Sequence, residues 1–167
     1  MAISTEVRIT ARLRLRRPAP DDVESIVAID SDPRTNLFRP GGAPSPEQNS
    51  LTFYEFIRGW EVHDFGYWVV EFGGQVIGMV GVEAQHFLNR QCWNIYYRLS
   101  PDVWGRGFAV EAAREAVAVA YVLEPTWPVV ARTRATNSAA SRVAHNVGLG
   151  RSPELDTDGF DVFARGW

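Results

Sequence analysis

The chain passes from a strand into a helix within residues 99–109, which read LSPDVWGRGFA. Gly105 and Gly107 let the backbone approach an anion without interference from a Cβ atom. The first turn of the helix carries N–H groups without an intrahelical partner and a partial positive charge, which suits a phosphate. Arg106 adds a cation that can contact phosphate oxygens. The stretch indicates an anion-binding turn, but a Gly-x-Gly before a helix is more often a tight turn alone, so it needs independent support.

A second strand-to-helix junction lies at residues 137–149, which read NSAASRVAHNVGL. Asn137 is predicted to cap the helix, because its side-chain oxygen can accept a hydrogen bond from the first turn. Ser141 lies one turn further along the same face, and Gly148 is predicted to end the helix. Taken alone, Ser141 is typical of a solvated helix residue.

Apolar spacing assigns the remaining elements. Ser45 and Gln48 have the spacing of a capping box, and Gly73-Gly74 between two apolar runs predicts a hairpin turn. The predicted helices begin at Pro20, at Ser45, after Gly107 and at Asn137. The predicted strands are residues 12–16, 67–72, 76–82, 92–99, 129–136 and 159–164. The order β-α-α-β-β-β-α-β-α-β predicts an α/β fold built on a mixed sheet.

Length and composition limit the function. The chain has 167 residues, which predicts a single domain, residues 1–167, with a proper core. A formal net charge of −3 argues against general nucleic-acid binding, because neutralising phosphates requires a basic face. The one cysteine, Cys92, excludes a disulfide framework and a multi-cysteine metal site, so no metal is expected. The first residues form no apolar signal segment and no run reaches membrane-spanning length, so a cytoplasmic location without a membrane partner is expected.

The two junctions together resemble those of a known superfamily. Residues 97–112, YRLSPDVWGRGFAVEA, resemble motif A of the GNAT N-acetyltransferases. The downstream pair Asn137 and Ser141, followed by VGL at residues 147–149, resembles motif B of the same superfamily. More narrowly, residues 97–112 resemble the branch that includes the ribosomal-protein alanine N-acetyltransferases. The resemblance implies an α/β fold with a mixed, largely antiparallel sheet whose central strands are splayed and whose faces are flanked by helices.

The resemblance also implies that the protein uses acetyl-CoA as an acyl-donor cosubstrate. Backbone N–H groups of the glycine loop would hold the pyrophosphate, and the pantetheine arm would lie between residues 94–99 and the strand carrying residues 131 and 133. Asn137 would bind that arm, and Ser141 would lie near the thioester sulfur. The residues expected to bind the donor are Leu99, Trp104, Gly105, Arg106, Gly107, Phe108, Ala109, Asn137 and Ser141.

Attack on a thioester requires the neutral amine, since a protonated amine has no lone pair. An α-amine, with a pKa of about 8, needs less help from a base than a lysine side chain at about 10.4. Glu83 is the best candidate for the base, directly or through water, although a solvent-facing glutamate at a strand end is the simpler interpretation. Ser141 is the candidate that protonates the leaving thiolate. Many members of the superfamily carry a tyrosine acid where this chain has Ala144.

The acceptor is expected to be a primary amine, either a protein N-terminal α-amine or a small-molecule amine. In the resembling superfamily the first two helices and their connection shape the acceptor pocket, and here they bring Phe38, Arg39 and Trp60. Arg39 would suit an acidic acceptor, although a surface arginine is the simpler interpretation. A homodimer through a sheet edge or the C-terminal strands is a further hypothesis, which sedimentation over a concentration series tests.

Two other functional classes remain open from the sequence. A non-catalytic acyl-CoA-binding module would keep the glycine loop and Asn137 but lack a usable base, and turnover of any amine discriminates against it. A nucleotide-binding domain would place a glycine fingerprint at the first strand–helix junction, or end a glycine loop in Gly-Lys-Ser/Thr. The sequence contains neither pattern, which disfavours this second class.

Overall fold

The sheet is built around two consecutive hairpins in the middle of the chain. In a computed structural model, which describes residues 5–167, these hairpins consist of β3 at Tyr67–Phe72, β4 at Gln75–Phe87 and β5 at Arg90–Leu99. Gly73 and Gly74 join β3 to β4 with φ values of +57° and +79°. Both values lie in the left-handed region that a tight hairpin turn requires, so the hairpin predicted from this pair is confirmed.

Shorter strands extend this centre on both sides: β1 at Val7–Ile9, β2 at Arg14–Arg16, β6 at Val129–Arg134, β7 at Gly150–Arg151 and β8 at Phe160–Arg165. Within residues 5–167 they complete a sheet of eight strands in the order β1-β2-β3-β4-β5-β6-β8-β7. Every neighbouring pair is antiparallel except β5 and β6. The predicted mixed, largely antiparallel sheet is therefore confirmed.

The parallel pair β5 and β6 holds together over only two positions. Trp93 pairs with Val129 and Asn94 with Val130, and beyond these residues the strands part. β5 continues beside β4 to Leu99, while β6 continues beside β8 to Arg134. The splayed central strands expected from the sequence are confirmed, and they leave a gap in the middle of the sheet.

In the described part of the chain, four α-helices cover the two faces of the sheet. The first pair, α1 at Val23–Ser31 and α2 at Pro46–His63, packs on one face, which we call the α1/α2 face. The second pair, α3 at Phe108–Leu123 and α4 at Ser138–Asn146, packs on the other, the α3/α4 face. The capping box at Ser45 and Gln48 begins α2 as predicted. Among residues 5–167, no helix combines the length and apolar character needed to cross a membrane.

The sheet exceeds the prediction at three places. β1 and β7, of three and two residues, were not predicted, because such short exposed segments carry no hydrophobic period. β4 was predicted to end at Val82 but runs to Phe87, since residues 83–87 pair with β5. Glu83 therefore lies inside a strand and not at a strand end.

An ionic network ties the start of the chain to this frame. The Arg16 guanidinium donates to both Asp22 oxygens, at 2.6 and 2.7 Å, and to Glu71 Oε1 at 2.7 Å. Asp22 also accepts the Ala19 N–H at 2.8 Å. Burial works against ionisation of Asp22, but these hydrogen bonds outweigh it and hold the pKa of Asp22 below its ordinary value. The network joins β2, β3 and the turn before α1.

We predict that Asp22→Asn lowers the free energy of unfolding by about 2–3 kcal/mol at pH 7, because it leaves Arg16 short of a charged partner in a mostly buried site. Asp21→Asn, one residue earlier and exposed, is the matched control and should change little. The folded-state pKa of Asp22 is lowered, so its contribution is complete above the unfolded pKa of about 3.9 and is lost as the pH falls through the folded value. Denaturant unfolding at several pH values should show the wild type and Asp22→Asn converging in acid. A difference that persisted at the lowest pH would contradict this account.

Candidate active site

A cavity of about 660 Å³ lies where β5 parts from β6. Its walls come from the end of β5, the turn before α3, the first turns of α3 and α4, and the connection between α1 and α2. Seven of the nine residues expected to bind the donor line it: Leu99, Trp104, Gly105, Gly107, Phe108, Ala109 and Asn137. The structure thus brings the two sequence junctions together around one cavity.

The glycine turn presents an uncapped helix start to this cavity. Gly105 and Gly107 have φ values of +76° and +78°, a backbone region that favours glycine. Gly107 is the N-cap of α3, and no side chain accepts a hydrogen bond from the first turn there. The N–H groups of Phe108, Ala109 and Val110 therefore have no intrahelical acceptor, and all three residues line the cavity. Together with the partial positive charge of the helix start, this arrangement suits a phosphate or another anion.

The exposed edge of β5 supplies a second set of backbone groups. Trp93 donates its N–H to Pro128 O at 2.8 Å, which fixes the edge that faces β6. Alternate residues of a strand present their backbone groups to the same edge, so Tyr97 and Leu99 direct theirs into the gap. Trp104 Nε1 donates to Leu99 O at 2.9 Å, so this carbonyl is already bonded. The Leu99 N–H and both backbone groups of Tyr97 have no strand partner, because β6 no longer runs beside them. This edge can bind an extended amide-containing arm by strand-like pairing.

The start of α4 forms the opposite wall. Asn137 Oδ1 accepts the Ala140 N–H at 3.1 Å, so the predicted helix cap is confirmed. One turn on, Ser141 Oγ donates to Asn137 O at 3.2 Å and lies 3.0 Å from Thr133 Oγ1 on β6. Because the Ser141 hydroxyl donates its hydrogen bond to that carbonyl, the Thr133 hydroxyl donates to Ser141 Oγ in this arrangement. Ser141 lies behind the residues that line the cavity.

Two residues of the turn have side-chain placements that the sequence did not indicate. The Trp104 indole is 51% exposed and is fixed by its bond to Leu99. The Arg106 guanidinium lies over the rings of Phe72 and Phe108, at 4.6 and 4.7 Å from their centroids. Arg106 is not among the residues that line the cavity, so contact with a bound anion requires its side chain to turn.

A polar group on the α1/α2 face lies level with the last paired residues of β5 and β6. Glu83 is opposite Asn94 in the β4–β5 pairing, and its Oε2 accepts the Tyr67 hydroxyl at 3.0 Å. Burial and the neighbouring Glu83 carboxylate raise the pKa of Tyr67 above its ordinary value, so the phenol stays protonated and donates. Tyr67 stacks on Tyr96 with ring centroids 4.8 Å apart. Burial raises the pKa of Tyr96 to about 12.

The expected acceptor pocket needs one correction and one addition. Trp60 was expected to shape that pocket but is fully buried, and its Nε1 donates to Tyr67 O at 2.9 Å. It belongs to the core and contacts no acceptor, whereas Phe38 does line the cavity.

Sequence reasoning missed Tyr97, whose hydroxyl donates to Ala140 O at 2.8 Å and so connects β5 to α4 at the cavity wall. A tyrosine in an aromatic-rich strand carries no local signal for that contact.

Comparison with known proteins decides the family. The sequence pattern of the acetyltransferase (GNAT) domain matches residues 12–150. The chain belongs to the GNAT acetyltransferase family. The resemblance inferred from the two junctions is therefore confirmed at the level of the superfamily.

Relatives of this GNAT protein agree with the fold. A curated protein of Aspergillus fumigatus, FsC-acetyl coenzyme A-N(2)-transacetylase, is 27% identical over 148 residues, which are 84% of this chain and 63% of that protein. The chain thus spans less than two thirds of the length of this relative. The crystal structure of an acetyltransferase from Agrobacterium tumefaciens superimposes with a TM-score of 0.82 at 22% identity, covering 99% of this chain and 96% of that one.

The RimL ribosomal L7/L12 α-N-protein acetyltransferase, solved in complex with coenzyme A, has a TM-score of 0.72 at 17% identity, covering 96% of this chain and 97% of that one. At this identity the likeness is one of fold.

We predict that Asn137→Ala lowers the free energy of unfolding by about 1 kcal/mol, because the first turn of α4 loses its only side-chain cap. Asn137→Ser keeps a capping oxygen and should restore most of the loss. Urea denaturation of the three proteins measures the effect. Equal stability of Asn137→Ala and the wild type would show that the hydrogen bond to Ala140 contributes nothing.

Proposed function

We propose that this GNAT protein is an acyl-CoA-dependent N-acetyltransferase that moves the acetyl group of acetyl-CoA to a primary amine. The observation that carries the proposal is the meeting, in one cavity, of an uncapped helix start and an unpaired strand edge. The first suits a pyrophosphate. The second suits the two amides of a pantetheine arm.

Different residues bind different parts of acetyl-CoA in this proposal. The N–H groups of residues 107–110 bind phosphate oxygens, and the edge at Tyr97 and Leu99 pairs with the arm. Asn137 has its amide nitrogen free of the cap, since only Oδ1 bonds to Ala140, and that nitrogen can donate to the arm. When bound, acetyl-CoA supplies an acetyl carbon activated as a thioester.

Glu83 is the residue that removes the amine proton in this proposal. One of its oxygens accepts the Tyr67 hydroxyl, so the other is left to accept a proton directly or through water. The position of Glu83 supports this role, because Glu83 pairs with Asn94, the residue at which β5 and β6 begin to part. Tyr67, buried and stacked on Tyr96, holds the carboxylate in one orientation.

Ser141 completes the proton balance. The amine nitrogen forms a bond to the acetyl carbon while the bond from that carbon to sulfur breaks, and the departing thiolate takes a proton. Ser141 can deliver it after turning away from Asn137 O, while Thr133 stays within hydrogen-bonding distance of the serine oxygen. Ser141 then regains a proton from water, and Glu83 releases to water the proton that it took from the amine. A backbone N–H of the free β5 edge can stabilise the negative charge that develops on the carbonyl oxygen. No bond to the protein forms.

The acceptor in this proposal is an α-amine. An α-amine has a pKa of about 8, whereas a lysine side chain has a pKa of about 10.4. A single exposed carboxylate can therefore deprotonate an α-amine more readily. The fold neighbour RimL is an α-N-protein acetyltransferase, which agrees with that choice. A non-catalytic acyl-CoA-binding module is the alternative, and the supported carboxylate of Glu83 disfavours it.

We predict that Gly107→Glu weakens acetyl-CoA binding about a hundredfold, or about 2.7 kcal/mol, because it adds a negative charge to the anion-binding turn. Gly74→Glu is the matched control. Its φ of +79° imposes nearly the same backbone strain as the +78° of Gly107, but it lies in the β3–β4 turn. Calorimetric titration with acetyl-CoA measures both variants. Failure of the wild type to bind acetyl-CoA would overturn the proposed function.

We predict that Glu83→Gln lowers kcat/KM by a factor of about 10²–10³ at pH 7 with acetyl-CoA binding unchanged, because the amine loses its proton acceptor. The loss should shrink as the pH passes the amine pKa near 8, where the neutral amine becomes abundant without help. Glu61→Gln, an exposed glutamate on α2, is the control. Release of the CoA thiol, followed from pH 6 to 10, gives both profiles. A loss independent of pH would assign Glu83 a structural role instead.

A further inference from the structure

Three arginines on the α1/α2 face flank the gap between β5 and β6. Because Asn94 pairs with Val130 in parallel register, alternate residues from these positions point to the same side of the sheet. Tyr96 packs with α2 residues on the α1/α2 face, which fixes that side for Arg98 on β5 and for Arg132 and Arg134 on β6. We call these three residues the arginine face.

Most other arginines near the sheet have carboxylate partners within hydrogen-bonding distance. Arg8 bonds to Glu115 at 2.9 Å, Arg12 to Glu111 at 2.7 Å and Arg151 to Asp161 at 2.9 Å. The arginine face differs from this pattern. Arg98 Nη1 lies 3.8 Å from Asp30 Oδ1, which is an ion pair but too long for a hydrogen bond.

The two arginines of β6 have still fewer polar contacts. Within residues 5–167, the Arg132 guanidinium has no hydrogen bond and no ion pair, and it lies 5.5 and 5.4 Å from the ring centroids of Phe87 and Phe160. The Arg134 guanidinium lies 3.9 Å from the Phe160 centroid and donates Nη1 to Asp158 O at 3.0 Å. Its Nε is buried without a partner in the same part of the chain.

These contacts hold the guanidinium groups and use only one of their donors, Arg134 Nη1. Aromatic faces hold an arginine in place and leave its planar fork of N–H groups free for a carboxylate or phosphate. Two carboxylates share this side of the sheet near the gap. Asp30 is opposite Arg98, and Glu83 already accepts the Tyr67 hydroxyl. Positive charge at Arg132 and Arg134 is therefore left without a carboxylate partner among the described residues.

We propose that the arginine face binds an anionic group, a carboxylate or a phosphate, that the amine acceptor carries close to its nucleophilic nitrogen. The inference deepens the proposed acetyl transfer and rests on it. An acidic acceptor is held by Arg132 and Arg134 on β6 while its amine reaches Glu83 across the gap. Acceptors without an acidic group lose this anchoring contact.

The binding part of the proposal is tested on the protein saturated with coenzyme A, so that the phosphate-binding turn is already filled. Calorimetric titration with succinate and, separately, with inorganic phosphate distinguishes a carboxylate site from a phosphate site. We expect saturable binding of at least one probe, weakened at least tenfold in Arg132→Gln. Arg58→Gln, an exposed arginine on α2 without an ion pair in the described chain, is the matched control and should bind like the wild type. Binding of neither probe, or equal binding by Arg132→Gln and the wild type, would overturn the proposal.

The catalytic part is tested with two acceptors of equal size, alanyl-aspartyl amide and alanyl-asparaginyl amide. We expect the wild type to acetylate the acidic dipeptide with at least tenfold higher kcat/KM, and Arg132→Gln to lose that preference while keeping its rate on the neutral one. The chain contains no lysine, so release of the CoA thiol is not inflated by acetylation of its own side-chain amines. Equal rates on both dipeptides would overturn the proposal while leaving acetyl transfer intact. If neither dipeptide reacts, the anion titration decides, and failure of coenzyme A itself to bind counts against the acetyltransferase function instead.

Discussion

Two parallel strands that stop pairing in the middle of the sheet leave the Leu99 N–H and both backbone groups of Tyr97 without a strand partner in residues 5–167. Beyond Asn94 and Val130, β5 and β6 follow different neighbours, and the edge at Tyr97 and Leu99 faces the gap. An unmade hydrogen bond in a partly enclosed place costs about 1–3 kcal/mol. A ligand with matching amides would recover that free energy, so the interrupted pairing is the physical reason that the cavity suits an extended, polar ligand.

The gap also divides the molecule into two chemical environments. On the α3/α4 side lie the uncapped start of α3 and the cap of α4, which suit an anionic donor with an amide-containing arm. On the α1/α2 side lie the Glu83 carboxylate and the arginine face. The net charge of −3 does not reveal this division, because Arg132 and Arg134 lie beside the gap without a carboxylate partner among the described residues. In the proposed acetyl transfer, donor and acceptor therefore approach from opposite sides of the sheet and do not compete for the same groups.

Much of the fold was predictable because its signals are local. The capping box at Ser45, the hairpin at Gly73-Gly74 and the glycine turn before α3 each depend on the conformations of a few successive residues. The donor residues share this property, since a helix start and its cap are encoded in one stretch. Glu83 was identified as a candidate, but its support was not, because Tyr67 reaches it from the neighbouring strand. The role of Trp60 was misjudged because an apolar stripe on a helix does not reveal how deeply each side chain is buried.

The sequence alone determined the order of the elements other than β1 and β7, and the two junctions, since backbone preference and short-range spacing are properties of the chain itself. The resemblance of those junctions to known motifs indicated the superfamily. Only the tertiary structure decided how far β4 runs, where β5 leaves β6, and which side chains meet across the gap. Those features depend on pairing between residues far apart in the chain, whose register is fixed by packing of the whole sheet against four helices. The arginine face belongs to this second group, because β5 and β6 place its residues together only after the sheet has formed.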